Sequence, residues 1–229
     1  MARQQDPSPA LSTVAVRLGR GRFEPDPLEV APALLGCLLV CDRAASRVTV
    51  RLTEVEAYRG EGLDPGSHAF RGRTPRTGVM FGPAGHLYVY LSYGMHWCAN
   101  VVCGPDGEAG AVLLRAGEVV GGHRLARSRR PTARRDADLA RGPARLTRAA
   151  GIGPQDGAAD LCRRGSRVWL AAGLDPVGRI SSGPRVGVAG AGGDGSAFPW
   201  RFWLDGDPSV SGYRPGKVGS ATAGGRRTK

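Results

Sequence analysis

The stretch Val48-Thr-Val-Arg-Leu-Thr-Glu-Val-Glu-Ala-Tyr58 decides how this chain is read. It alternates with a period of two, which predicts a strand with Val48, Val50, Leu52, Glu54, Glu56 and Tyr58 on one face. On that reading an apolar row runs directly into two carboxylates and a phenol. A purely structural strand would more often leave its charges on the opposite, wet face. Downstream, His86-Leu-Tyr-Val-Tyr-Leu-Ser-Tyr-Gly-Met95 alternates tyrosines with aliphatics and breaks at Tyr93-Gly94. This predicts a β-ribbon with an aromatic tip: a strand over 87–91 with Tyr88 and Tyr90 on one face, a turn at 93–96 and a return strand over 97–103. Asn100 interrupts the return strand and needs a partner if it is buried. A turn at Gly104-Pro-Asp-Gly107 leads into Ala111-Val-Leu-Leu-Arg-Ala116, which completes a meander.

Upstream, Pro27 to Leu35 has helical apolar spacing, with Asp26 as N-cap and Pro27 in the first helical position, and Gly36 ends it. Cys37 to Cys41 then reads as a buried strand. Residues 59–85 carry seven glycines, His68, Arg71, Arg73 and Arg76, and read as a long functional loop. The Arg-dense stretch from His123 to Arg135 looks mobile. A helix is expected within Leu139 to Ile152, ending at Gly151 or Gly153. Strands are expected at Val168–Ala171 and Arg185–Val188, then a Gly-rich loop over 190–195, and an aromatic contribution to the core from Phe198-Pro-Trp-Arg-Phe-Trp-Leu204. Residues 1–21 read as a flexible arm and 213–229 as a disordered basic tail, leaving one domain over 22–212.

The 229 residues suffice for a real core, and 36 glycines favour a turn-rich, sheet-containing fold over a helical bundle. The net charge of +12 points toward a polyanionic partner. Only Lys217 and Lys229 are lysines among 32 basic residues, an arginine skew that a GC-rich genome would also produce. The five cysteines, Cys37, Cys41, Cys98, Cys103 and Cys162, form no CxxC pair and sit among apolar neighbours, so they read as reduced, packed thiols. No metal and no cofactor are expected. The N-terminus lacks an apolar signal core and no apolar run is long enough for a membrane span, so an intracellular protein is expected, cytoplasmic or associated with the nucleoid. A phosphate-binding Gly-Lys-Ser/Thr loop, a Gly-x-Ser-x-Gly elbow and a dinucleotide fingerprint are all absent, which removes support for nucleotide hydrolysis, esterase chemistry and an oxidoreductase.

A glutamate pushed into an apolar pocket gains basicity useful for general-base work, and a nearby cation such as Arg115 or His68 would keep it ionised. The plainer alternative for Glu54 and Glu56 is an ordinary salt bridge at a strand end. Tyr58, Tyr88 and Tyr90 read more simply as cross-strand aromatic packing. Tyr93, at a turn before a glycine, suits insertion between bases. His68 reads more simply as a lone hydrogen-bonded histidine than as a metal ligand.

Taken in order, Glu54-Val-Glu-Ala-Tyr58, His68, Thr74-Pro-Arg76, Met80-Phe-Gly-Pro83, Leu87-Tyr-Val-Tyr90, Tyr93-Gly-Met95, Asn100 and Leu113-Leu-Arg115 resemble the alkyladenine (3-methyladenine, or methylpurine) DNA glycosylases of the mammalian and Bacillus type. The similarity continues through Gly142-Pro-Ala-Arg-Leu, Arg185-Val-Gly-Val188 and Pro199-Trp-Arg-Phe202. It implies a single α+β domain: a mixed, mostly antiparallel curved sheet, surrounding helices and a protruding hairpin that enters DNA. It also implies a monofunctional, monomeric glycosylase of the DNA-3-methyladenine glycosylase II type, acting on damaged purines in duplex DNA. In that pattern Glu56 and Arg115 are catalytic, and Tyr58, His68, Tyr90 and Asn100 form the base pocket. Tyr93 intercalates, and Met80, Arg73, Arg76 and Met95 contact DNA. The competing expectation is a non-enzymatic nucleic-acid-binding module of the same fold, which has no need of Glu56 beside Tyr58, His68 and Arg115.

Overall fold

The computed structural model describes residues 16–43, 46–173 and 175–216. Among them, nine strands and three α-helices make an α+β domain built on one mostly antiparallel sheet. Helix α1 (Pro27–Ala33) begins where its sequence says: Asp26 accepts a hydrogen bond from the Leu28 amide at 2.8 Å, and Pro27 fills the first turn. Then come β1 (Leu38–Arg43), β2 (Ser46–Arg59), β3 (Leu87–Ser92), β4 (His96–Val102) and β5 (Gly110–Gly121). Helix α2 (His123–Arg129), β6 (Ala140–Arg141), α3 (Pro143–Ala150), β7 (Val168–Ala171), β8 (Ile180–Gly183) and β9 (Arg201–Leu204) complete the order. The sheet runs β3-β4-β5-β2-β1-β7, with β6 added to β5, β9 to β2 and β8 to β9.

The long central strand β2 departs from strict alternation, and this corrects the face predicted for it. Across β5, Leu52 pairs with Gly117, Glu54 with Ala116 and Val55 with Leu114, so Thr53 and Arg115 are each left without a partner. An unpaired extra residue is a β-bulge, and it moves every later side chain to the other face. Val48, Val50 and Leu52 therefore enter the main core, and after the bulge Val55 and Ala57 continue that row. Glu54, Glu56 and Tyr58 turn to the opposite face instead of prolonging the apolar one. Strand and core survive because the bulge restores an apolar residue to each core position.

That core, on one side of the sheet, includes Phe23, Leu34, Leu39, Leu87, Leu114, Leu139, Leu146 and Leu170. Each such leucine contributes ~1.5–3 kcal/mol by burial. Helix α3 packs Leu146, Ala149 and Ala150 inward and is closed by Gly151 in the left-handed conformation, φ 77°. A smaller apolar cluster of Ala69, Met80, Phe81, Tyr88, Val102 and Ala111 ties the long 59–85 loop to the other face.

Four further expectations change. Val16–Gly21 is not a loose arm where it is described: the Leu18 amide donates to the Leu170 carbonyl and Leu18 is buried in the core. His123–Arg129 is helical, because Ala126 and Leu125 pack against the core beneath the arginines. Arg185–Val188 is not a strand; the nearby strand is Ile180–Gly183, and Arg185 is instead drawn inward by a buried carboxylate. Within the tail, the Arg214 carbonyl accepts from the Gly187 amide, so the chain is docked to at least that point. The flexibility expected of 1–15 and 217–229 lies outside the described residues. No helix among the described residues is long and apolar enough to cross a membrane.

Candidate active site

Four adjacent strands each present two side chains, two residues apart, to the face opposite the core. These are Tyr88 and Tyr90 of β3, Cys98 and Asn100 of β4, Leu113 and Arg115 of β5, and Glu56 and Tyr58 of β2. Register aligns them laterally: Tyr88 lies opposite Asn100, Asn100 opposite Leu113, and Leu113 opposite Glu56. The sheet thus forms the floor of a cavity of about 760 Å³. Its walls are the loop residues around His68 and Arg76, Met80, the hairpin end at 91–94, Pro143, and Val186 to Ala189.

Glu56 is 0 % exposed at this floor. Its Oε1 accepts from the Val186 amide at 2.7 Å, and its Oε2 accepts from the Tyr58 hydroxyl at 2.8 Å and from Arg115 Nη1 at 3.3 Å. Burial followed by the Glu56 charge drives the Tyr58 phenol well above its ordinary value, so it stays protonated and donates. The neighbouring Glu54 is fully engaged: its Oε1 accepts from Arg115 Nε at 2.9 Å, Arg201 Nε at 2.7 Å and the Ser211 hydroxyl at 2.9 Å, and its Oε2 from the Ser211 amide at 2.8 Å. Burial pushes the Glu54 carboxyl up, but the two guanidiniums and Ser211 outweigh it and hold it below its ordinary value. Burial opposes the Arg115 charge, and the adjacent Glu56 and Glu54 more than restore it.

The aromatic wall is continuous. Tyr88 and Tyr90 stack with centroids 5.4 Å apart, and His68 meets Tyr90 edge-on at 4.6 Å. His68 Nδ1 lies 3.3 Å from the Tyr88 hydroxyl, and burial, then the Arg76 charge, lower its pKa, so the ring is neutral at neutral pH. The Arg76 guanidinium sits 5.3 Å from the Tyr90 ring centroid, a cation–π arrangement that marks this face as attractive to positive charge. Asn100 finds the partner its burial requires, donating to the Tyr88 carbonyl at 3.1 Å.

At the hairpin end Tyr93 is 85 % exposed and Met95 71 %. Tyr93 and Gly94 both have positive φ, 49° and 66°, and the Met95 amide closes the turn on the Ser92 carbonyl. The structure therefore brings together Glu56, Arg115, Tyr58, His68, Tyr90 and Asn100, sets Tyr93 and the exposed Arg76 at the rim, and leaves Arg73 and Met95 exposed outside the cavity lining. Met80 corrects its expected place against DNA. It is 2 % exposed, packed into the smaller apolar cluster by the 3-10 turn Gly78–Phe81.

Several contributors had no local signal in the sequence. Arg185 and Asp64, both fully buried, pair through two contacts of 2.6 and 2.7 Å, and Arg185 also donates to the Ala57 and Gly192 carbonyls. The Arg185 guanidinium lies 4.5 Å from the Tyr58 ring, so this pair clamps the 59–85 loop and the Val186 backbone around the cavity. Arg201 and Ser211 come from the far C-terminal part of the chain and become visible only through their contacts with Glu54.

A buried carboxylate with an amide, a phenol and a guanidinium on it, opening into an aromatic cavity, can activate a water against a flat, electron-poor ligand. No cluster of metal-ligating side chains occurs among the described residues. A model of the family described as Methylpurine-DNA glycosylase (MPG) matches residues 21–208. The chain's relatives include proteins named "Putative 3-methyladenine DNA glycosylase". The one from Leifsonia xyli subsp. xyli is 57% identical over 86% of this chain and 92% of its own. That from Streptomyces avermitilis is 52% identical over 86% and 92%. That from Burkholderia cenocepacia is 44% identical over 94% and 99%.

Proposed function

The chain belongs to the methylpurine-DNA glycosylase family, and from that premise we propose that it flips damaged purines out of duplex DNA and hydrolyses them off with a water activated by Glu56. Membership makes it a DNA-binding hydrolase of N-glycosyl bonds in DNA repair. The observation that carries the finer reading is Glu56 at 0 % exposure beside an aromatic cavity, with Tyr93 projecting from its rim.

In this reading Tyr93 fills the gap left in the duplex. Extrusion costs a few kcal/mol, and base stacking worth ~1–3 kcal/mol on aromatic side chains offsets it. The flipped purine lies against Tyr90, with Tyr58 and the neutral His68 beside it. Glu56 takes a proton from water, the water oxygen bonds to the anomeric carbon, and the electron pair of the breaking C–N bond leaves with the base. The product strand carries an abasic site. A cationic alkylated base such as 3-methyladenine or 7-methylguanine departs readily, whereas neutral hypoxanthine or ethenoadenine needs protonation as it leaves. Asn100, fixed by its bond to the Tyr88 carbonyl, occupies the floor where the exocyclic amine of normal guanine would have to fit.

Strand cleavage through a Schiff base requires an amine nucleophile. The cavity lining includes no lysine. We therefore read the enzyme as monofunctional, and as acting as a monomer because acid, pocket and wedge come from one chain. The test is free-base release from duplexes containing hypoxanthine, ethenoadenine or 7-methylguanine. Release with an intact backbone supports the reading. Absence of release from every such duplex, or borohydride trapping of a covalent complex, contradicts it.

A further inference from the structure

Glu54, the second acid of the Glu54-Val-Glu56 pair, is not used in the reaction above, yet it is the most heavily bonded carboxylate beside it. The three nitrogens of Arg115 diverge: Nε to Glu54 at 2.9 Å, Nη1 to Glu56 at 3.3 Å and Nη2 to the Ser211 hydroxyl at 3.4 Å. Arginine favours two parallel bonds to one carboxylate. Here Glu56 meets Nη1 alone, because Nη2 faces the Ser211 hydroxyl and Nε is held by Glu54. Glu54 is itself fixed from the other side by Arg201, whose Nη2 donates to the Ser211 carbonyl at 2.7 Å and whose guanidinium stacks on Trp203 at 4.6 Å. The segment that supplies Ser211 runs along β2, with Asp207 on Arg51, Ser209 on Thr53 and Ser211 on Glu54. Residues 209–216 lie beyond the part matched by the family model.

We propose that Glu54 is a positioning residue for base excision: it holds Arg115 by one edge, so that Glu56 keeps a single, longer guanidinium contact and a free lone pair for water. This rests on the assignment of Glu56 as the base. Losing the Glu54 charge would have two effects in one direction. Arg115 would be free to close onto Glu56, and a negative charge two residues away on the same strand face would vanish. Both make Glu56 a weaker base toward water. The other charged or titratable groups near Glu56 stay in place: Tyr58 on the same strand, Arg201 opposite it on β9, Arg185 between β8 and β9, Tyr90 on β3 and Cys98 on β4.

The experiment is the pH profile of single-turnover release from a hypoxanthine duplex, with duplex affinity measured alongside, for wild type, Glu54→Gln and Ser211→Ala. The expected result for Glu54→Gln is a plateau rate lower by on the order of tenfold and an acidic limb displaced to lower pH by about one unit, at unchanged duplex affinity. Ser211→Ala, which removes one hydroxyl shared by Glu54 and Arg115, is expected to shift the same limb by less. It carries the test alone should Glu54→Gln fail to fold. A lower rate with the limb unmoved, or a loss that follows duplex affinity or folded fraction, overturns the proposal and leaves Glu54 a structural residue. No release by wild type would instead refute the function on which it rests.

Discussion

Glu54 and Glu56 share a strand face, yet their surroundings divide them. Glu54 receives four hydrogen bonds and touches two guanidiniums, so nothing on it remains for a substrate. Glu56 receives three, one of them long, and borders the cavity. Because Glu54 is held below its usual value near 4.5, its stabilisation is complete above that pH and is lost as pH falls through the lower folded value. Glu54→Gln takes the carboxylate partner from buried Arg201 and one of two from Arg115, which costs ~3–5 kcal/mol at neutral pH. Urea melts should show that gap at pH 7 and a clearly smaller one at pH 3; an equal gap at both would contradict the ionic account. The paired acids of the sequence marked this place, but which of them was the base rested on resemblance, since Arg201 and Ser211 are about 150 residues away.

At the scale of elements, two irregularities position the chemistry. The bulges at Thr53 and Arg115 turn both acids and the guanidinium away from the core. The hairpin end holds Tyr93 at φ 49°, a conformation that costs a residue other than glycine ~1–2 kcal/mol. Such strain persists where it serves a purpose, here presenting the ring outward. Asparagine tolerates this region, so Tyr93→Asn should raise stability by up to about 1 kcal/mol while weakening excision. Thermal unfolding and base-release assays check this, and a variant that loses both stability and activity would contradict it. Capping chemistry made α1 legible beforehand, because Asp26-Pro27 acts locally. The bulge was not legible: period-two alternation looks unbroken through Thr53, and only pairing with β5 reveals the extra residue. Likewise the arginines of His123–Arg129 masked the apolar stripe of a helix. Arg185 looked like part of a strand because nothing near it in sequence discloses Asp64.

Across the whole molecule one sheet divides two tasks, with an apolar core on one face and a polar, aromatic cavity on the other. Buried charges around the cavity are balanced, Glu54 and Glu56 against Arg115 and Arg201, and Asp64 against Arg185. The excess positive charge is therefore carried elsewhere. Exposed Arg145 and Arg148 stand on α3, whose first residue Pro143 reaches the cavity wall, and their charges, after burial, lower the pKa of Arg130. A phosphate at this place would relieve that crowding. Arg145→Ala should reduce the slope of log affinity against log salt for duplex DNA by about one; an unchanged slope would place the DNA elsewhere. The most direct test of the central claim is single-turnover base release by Glu56→Gln on a duplex the wild type processes, with binding measured on the same duplex. A fall of at least ~10² to 10⁴ in rate at near-normal affinity is predicted for loss of a general base. Release by the Gln variant at close to the wild-type rate would contradict it.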